Sequence, residues 1–248
     1  MPNLKNKSIL VTGATGFIGK SLMTELAKAG YQVTGIDLKD GQIGQIKIFS
    51  VNLLSQKPLD QFFQKHQFEA IVHLAARVPK SADAHEQKLS LLENTTSTLN
   101  MLEKFSQIKA QKFIYASGIS VIGTPKSNMP VSESSPASPE SLYVAGKYFG
   151  EVLCQKYRWE TKKNIITLRI SAPYGPGQNK NDVIPLFIQS ALSNKDIPIY
   201  GSGKRSQDFI YVSDVIRAIL AAIKHNLSGI YNIGSGKSTS TIDLAKII

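Results

Sequence analysis

Ser8-Ile9-Leu10-Val11-Thr12-Gly13-Ala14-Thr15-Gly16-Phe17-Ile18-Gly19 is the stretch that decides the fold. A short apolar run leads directly into three glycines spaced three apart, and a helical pattern begins at Phe17. Gly13 permits a tight turn, Gly16 lets the backbone approach a diphosphate, and Gly19 lets helix and strand pack closely. The free N–H groups at the helix start, around Thr15, Phe17 and Ile18, would then face the anion. The plain alternative is a glycine-rich turn with no ligand. The strand-turn-helix setting favours a nucleotide.

Outward from this stretch, short apolar runs alternate with longer helical patterns. The runs at 8–11, 32–36, 46–51, 70–74, 112–116 and 165–170 read as buried strands, and 17–29, 59–66, 86–107 and 142–160 as helices. Continuously apolar strands joined by helices need cover on both faces. Right-handed crossovers then give an α/β, doubly wound parallel sheet, expected to have seven strands. The Ser-, Pro- and Glu-rich segment 132–141 reads as a surface loop leading into a helix. After Tyr174-Gly175-Pro176-Gly177 the alternation loosens. A nucleotide-binding domain is therefore expected at 1–174, and a small mixed lobe at 175–248 with segments returning to the sheet. Ser240-Thr241-Ile242-Asp243 has capping-box spacing, and the chain stops at Ile247-Ile248, so a helix cut short and an incomplete lobe are expected.

Asp37 ends the second strand, 18 residues past Gly19. A carboxylate there can accept both ribose hydroxyls of an adenosine and would repel a 2′-phosphate, so NAD is expected rather than NADP. Lys39 nearby works against that preference.

Composition narrows the partners. The chain has 248 residues, 42% hydrophobic and 19% charged, enough for one sizeable core and too apolar for disorder. The apolar run after the polar N-terminus is too short for a signal peptide or a membrane span. A single cysteine, Cys154, makes no internal disulfide and suggests no metal site, so a cytoplasmic protein without metal or membrane partner is expected. The net charge is +11, but Lys104, Lys109, Lys112, Lys156, Lys162 and Lys163 are scattered and no basic block appears. Nucleic acid is not an expected partner.

The Gly-x-x-Gly-x-x-Gly spacing resembles the short-chain dehydrogenase/reductase family. Further segments resemble its extended branch, the NAD-dependent nucleotide-sugar epimerases, dehydratases and reductases. His73-Leu74-Ala75-Ala76 resembles the turn lining the cofactor, and Asn94-Thr-Thr-Ser-Thr-Leu-Asn-Met-Leu102 the long helix beneath the active site. Tyr143-Val-Ala-Gly-Lys147 resembles the catalytic Tyr-x-x-x-Lys. Tyr174-Gly-Pro-Gly177, Asp208-Phe-Ile-Tyr-Val-Ser-Asp214 and Tyr231-Asn-Ile-Gly-Ser-Gly236 resemble later blocks, so the resemblance covers nearly the whole chain.

The resemblance implies a Rossmann-type sheet with a small C-terminal substrate lobe, bound NAD, a nucleotide-sugar substrate and a homodimer built on the helices at 86–107 and 142–160. It implies cofactor contacts at Leu74, Ala75, Ala76, Asn94, Tyr143, Lys147 and Pro173. Asn52-Leu53 would replace the usual Asp-hydrophobic pair at the adenine, since an amide oxygen also accepts a hydrogen bond. Tyr143 and Lys147, four apart on a helix, share one side. A phenol titrates near ~10. The lysine ammonium is expected to lower that value, so that Tyr143 can exchange a proton with a sugar hydroxyl during hydride transfer.

Three departures fall on the substrate side. The family's Ser or Thr 25 residues before the tyrosine is Gly118, for which Ser117 or Ser120 could substitute only if the loop is rearranged. Ala172-Pro173 stand where the family has an Asn. Gln207 stands where it has a phosphate-gripping Arg, and Arg205 could reach the same face. Ile119 and Ser120 occupy the positions of the acidic pair used for elimination, so epimerisation or keto-sugar reduction is expected. The alternative is an NAD-binding relative with little or no catalysis, acting as a sensor or interaction protein.

Overall fold

The computed structural model describes residues 7–124 and 130–248. In chain order the elements are β1 (Ser8–Thr12), α1 (Phe17–Lys28), β2 (Gln32–Asp37), β3 (Gly41–Ile43), β4 (Ile46–Ser50), α2 (Gln56–Lys65), β5 (Ala70–His73), α3 (Ala84–Gln107) and β6 (Lys112–Gly118). A 3-10 turn (Ile119–Ile122) follows. Then come α4 (Leu142–Thr161), β7 (Asn164–Ile170), β8 (Ala172–Tyr174), α5 (Val183–Leu192), β9 (Ser206–Tyr211), α6 (Val212–Lys224), β10 (Gly229–Ile233), β11 (Ser238–Ser240) and α7 (Thr241–Ile247).

The large sheet runs β10-β7-β6-β5-β1-β2-β4-β3. The expectation of seven strands is corrected to eight. Seven are mutually parallel, and β3 turns back antiparallel on β4 as a three-residue edge hairpin. The chain leaves β1 towards β2 and later towards β5, so the strand order reverses beside β1. Ligands of such sheets bind outside the strand C-termini at that point.

Alternation along each strand builds two cores. Ile9 and Val11 of β1, with Ala70 and Val72 of β5, face Leu22, Met23 and Leu26 of α1 and the apolar stripe Val215, Ile216, Ile219 and Ile223 of α6. Leu10 and Ile71 point to the opposite face, against Leu59 and Phe62 of α2, Met101 and Phe105 of α3 and Leu153 of α4. Strands covered on both faces are mostly apolar at their centres, which is why runs such as Ile9-Leu10-Val11 were legible.

A second sheet, β11-β9-β8, sits apart from the large one. It begins at Ala172, slightly ahead of the boundary expected at 174, because β8 pairs with β9 from Ala172 to Tyr174. β10 returns to the large sheet beside β7, as the sequence suggested for part of this region. Ser240 caps α7 by accepting the Asp243 N–H at 3.1 Å, as the capping-box spacing predicts.

Candidate active site

The loop between β1 and α1 is held by backbone contacts. Gly13 has φ +66°, and a Cβ there would strike the Ala75 backbone nitrogen at 2.8 Å. The two loops at the strand-order reversal therefore touch, and only glycine allows it. A Cβ on Gly19 would collide with the Gly13 carbonyl, so α1 closes directly on the loop that follows β1. Helix α1 starts without a side-chain cap and without an acidic residue in its first turn. Its leading N–H groups stay available for an anion.

Beside this loop lies a cleft of ≈ 350 Å³. Its walls contain ten of the expected cofactor residues: Gly13, Thr15, Gly16, Asp37, Asn52, Leu53, Leu74, Ala75, Ala76 and Asn94. The cleft walls do not include Phe17, Ile18, Gly19, Tyr143, Lys147 or Pro173. Pro173 pairs with Ile210 in the small sheet. Asp37 Oδ2 accepts from the Thr15 N–H at 2.9 Å and the Thr15 hydroxyl at 2.7 Å, and Oδ1 accepts from the Leu38 N–H. Asn52 Oδ1 accepts from the Leu54 N–H at 2.9 Å and keeps a second lone pair for an adenine amino group. Asn94 spans the Arg77 backbone, accepting its N–H at 2.7 Å and donating to its carbonyl at 3.0 Å, so it fastens the β5–α3 loop while lining the cleft.

Several wall residues were missed by sequence reading: Leu38, Val51 and Leu54 as apolar surfaces, and Arg77, Glu93 and Ser97 at the far end. Leu38 carried a usable signal, an apolar residue directly after the strand-ending acid and 72% exposed in the fold. Arg77 follows Ala76 directly and is held by Glu86 at 2.9 Å and Glu93 at 3.4 Å.

His73 holds the floor. The Thr98 hydroxyl donates to the Asn94 carbonyl and therefore accepts from His73 Nε2 at 3.2 Å. His73 Nδ1 then accepts from the Thr12 hydroxyl at 2.8 Å, and that oxygen accepts the Ala75 N–H. Burial first, and the Lys147 charge second, push the imidazole down to about 3, so it is neutral.

Tyr143 and Lys147 stand on α4, which closes tightly on its neighbours through two glycines. A Cβ on Gly146 would meet Leu91 of α3 at 3.3 Å, and one on Gly150 would fall inside the Tyr115 hydroxyl. This approach buries Lys147, whose Nζ donates to the Ala116 carbonyl at 2.8 Å and lies 5.3 Å from the Tyr115 ring centre. Burial lowers the Lys147 pKa to about 8. Tyr143 is half-buried. The expectation that its pKa is lowered is corrected here: burial raises it, and Lys147 is turned towards the Ala116 carbonyl.

Ser117 is corrected as well. Its hydroxyl is buried and donates to Glu151 Oε1 at 2.6 Å, inside the Glu151–Arg169 ion pair. Strand alternation puts Ser117 on the same side as Tyr115, facing α4, and commits it to structure. Gly118 ends β6 and introduces the 3-10 turn. Arg205 is exposed just before β9, and Gln207 is half-buried two residues on. Side chains at that spacing share a face of an extended strand, and neither residue lines the cleft beside the glycine loop. Among the described residues no cluster of His, Cys, Asp and Glu is suited to a metal ion, and no helix is long and apolar enough to cross a membrane.

The model of the NAD-dependent epimerase/dehydratase family matches residues 9–234. A putative UDP-glucose 4-epimerase of Methanocaldococcus jannaschii is 34% identical over 97% of this chain and 81% of its own length. The dTDP-4-dehydro-6-deoxyglucose reductase of Escherichia coli is 32% identical over 98% of this chain and 80% of its own. The crystal structure of UDP-glucose 4-epimerase from Thermotoga maritima with UDP-glucose superposes with a TM-score of 0.90 at 28% identity, covering 97% of this chain and 81% of that one. The chain spans 59% to 81% of the length of the curated relatives it matches. With a family match that runs from β1 to just past β10, and with this fold shared over nearly its whole extent, the chain belongs to the NAD-dependent epimerase/dehydratase family.

Proposed function

We propose that this protein is an NAD-dependent epimerase or keto-reductase of a nucleotide-linked sugar, with 1–174 forming the cofactor half and 175–248 the substrate lobe. The observation that carries the reading is the Tyr143/Lys147 pair on α4, with Lys147 anchored to the end of β6 beside a cofactor cradle. The cradle fits NAD: the α1 N-terminus is uncapped, Gly13 is backed by Ala75, and Asp37 stands at the β2 end. Bound NAD supplies the two-electron acceptor at the sugar carbon.

This chain's residues handle the proton. Tyr143 Oη receives it from the sugar hydroxyl on oxidation and returns it on reduction. Burial favours the phenol, so a positive charge near Oη is needed to form the phenolate, and Lys147 is the cation one helical turn away. The 3-10 turn after β6 bears Ile119 and Ser120 and no carboxylate, which disfavours elimination and leaves alcohol–ketone interconversion. Arg205 and Gln207 would face the substrate's phosphates.

A homodimer in the cytoplasm completes the proposal. The lone, buried Cys154 suits a reducing compartment. Exposed apolar residues of α3 and α4 support the dimer.

The test is mass spectrometry of ligands released from the purified protein, joined to turnover of UDP-, dTDP- and GDP-sugars with NAD and NADH. Activity that Tyr143→Phe abolishes is the expected result. Activity unchanged by Tyr143→Phe overturns the mechanism. Bound NAD without turnover of any sugar favours a non-catalytic, cofactor-binding protein.

A further inference from the structure

Among the described residues no carboxylate pairs with Lys147. Glu151, one turn along α4, is committed to Arg169 at 2.7 Å and to the Ser117 hydroxyl at 2.6 Å. The buried ammonium meets instead the Ala116 carbonyl at 2.8 Å and the face of the Tyr115 ring, whose centre lies 5.3 Å away. The face of an aromatic ring is electron-rich and attracts a cation at this range, the more so out of water. We propose that Tyr115 is a positioning residue for the reaction, its ring holding the Lys147 ammonium in the place from which it acts on Tyr143. The proposal rests on the functional reading above.

The surroundings of Tyr115 favour that contact over plain core filling. Strand register sets Tyr115 of β6 directly beside His73 of β5, and the two rings stack at 5.9 Å and 22°. His73 is fastened through both ring nitrogens, so it braces the phenol ring on the sheet. The Tyr115 hydroxyl donates to the backbone carbonyl of Lys147 at 3.3 Å. One side chain thus meets residue 147 at both its ammonium and its main chain. Gly150 leaves the room: a Cβ there would overlap the phenol oxygen and stand 2.6 Å from the ring carbon Cζ. Glycine destabilises a helix interior, so α4 loses local stability in order to admit a tyrosine. An aliphatic residue at 115 would fill the core and present no ring face.

His73, Tyr143, Cys154 and Glu151 also stand around the ammonium, each neutral or already paired. Burial and the Lys147 charge keep the His73 imidazole of β5 uncharged at neutral pH. On α4, burial pushes the Tyr143 phenol and the Cys154 thiol up, so both are protonated at rest. The Glu151 charge is offset by Arg169 of β7. Loss of the ring face therefore removes a contact that favours the charged form. The Lys147 pKa, already lowered by burial to about 8, then falls further.

The test compares the unmodified protein with Tyr115→Phe, Tyr115→Leu and a series in which the phenylalanine at 115 carries one, two or three fluorines. Fluorine withdraws electron density from the ring face and leaves the ring shape, so the series separates charge from packing. The first readout is NMR titration of lysine labelled at Cε, with and without NAD, the Lys147 signal being the one lost in Lys147→Met. Its midpoint should be kept in Tyr115→Phe, fall stepwise with each fluorine, and be lowest in Tyr115→Leu, by about one pH unit. The second readout is kcat with NAD bound. A fall of about one unit from about 8 cuts the ammonium fraction at pH 8 from about a half to about a tenth. Tyr115→Leu should therefore lose about fivefold in kcat at pH 8 and little at pH 6, with KM for the nucleotide sugar unchanged. A midpoint that ignores fluorination overturns the proposal, and so does a Tyr115→Leu loss that is equal at both pH values. If no nucleotide sugar is converted while the midpoint follows the fluorines, the functional reading fails and the hold of Tyr115 on Lys147 stands.

Discussion

Asp37 and Thr15 are tied to each other across the cofactor cleft: one carboxylate oxygen accepts both the N–H and the hydroxyl of Thr15. The acid expected to read the ribose therefore also shapes the glycine loop. Two functions can be separated by mutation. Asp37→Ala should weaken NAD roughly 10–100-fold, the value of one or two hydrogen bonds to a charged group, and should narrow the preference over NADP. Thr15→Val should weaken both cofactors by a similar factor and keep the preference. Calorimetric titration of the three proteins with NAD and NADP measures this. Equal affinity of the unmodified protein for the two cofactors contradicts the ribose assignment.

His73 makes the fold sensitive to acid. Its pKa falls from 6.5 to about 3 on folding, so the unfolded chain takes up the proton first. Unfolding then binds a proton between about pH 6.5 and 3, and stability drops as pH falls through that window. The slope from one group is about 1.4 kcal/mol per pH unit. Urea midpoints recorded across the range should show it, over and above the carboxylates. His73→Gln should flatten the difference between pH 6.5 and 4. A variant with the same slope as the unmodified protein would rule His73 out as the source.

The large sheet and the cofactor cradle were legible in the sequence because their causes are local. Apolar runs such as Ile9-Leu10-Val11 follow from burial on both faces, and Gly13, Gly16 and Gly19 follow from close backbone approach. The edge strand β3 and the strand β11 were not legible. Each has three residues, is polar or exposed, and exists only by pairing with a longer partner. α6 went unrecognised although Val212, Val215, Ile216, Ile219 and Ile223 mark its face at helical spacing. The commitment of Ser117 to Glu151 lay beyond sequence reading, because it depends on which face β6 presents to α4.

Lys147 is kept at a cost in stability. Burial lowers its pKa from 10.5 to about 8, so at neutral pH the folded protein carries a buried ammonium that is less stable than in the unfolded chain. The penalty is on the order of 3 kcal/mol below pH 8, and it disappears as pH rises towards 10.5. Lys147→Met removes the charge but leaves the Ala116 carbonyl without its donor, a loss of about 1–3 kcal/mol. The balance favours the variant slightly. Lys147→Met should raise Tm by about 2–4 °C while abolishing turnover. Scanning calorimetry at pH 7 and at pH 10 checks the sign, since the gain should shrink at the higher pH. A variant less stable than the unmodified protein at both values would show that the Ala116 contact outweighs the buried charge.

Leu142, Tyr148, Phe149, Val152 and Trp159 lie on α4 and remain exposed, and Leu92 does so on the adjoining α3. Spacings of three, four and seven residues put the α4 group along one stripe. Phe149 is 47% exposed, Val152 43% and Trp159 77%, on the flank of helices whose inner residues are fully buried. Soluble monomers seldom leave so continuous an apolar stripe in water, and two copies meeting through α3 and α4 would cover it with a four-helix bundle. Light scattering should give twice the 27.1 kDa chain mass. Phe149→Glu would bury a carboxylate in such an interface, where desolvation opposes contact, and should yield a monomer. Phe149 is turned away from the Lys147 side of α4, which is buried, so NAD affinity should survive the change. A monomeric unmodified protein, or a Phe149→Glu variant that still scatters as a dimer, would place the interface elsewhere.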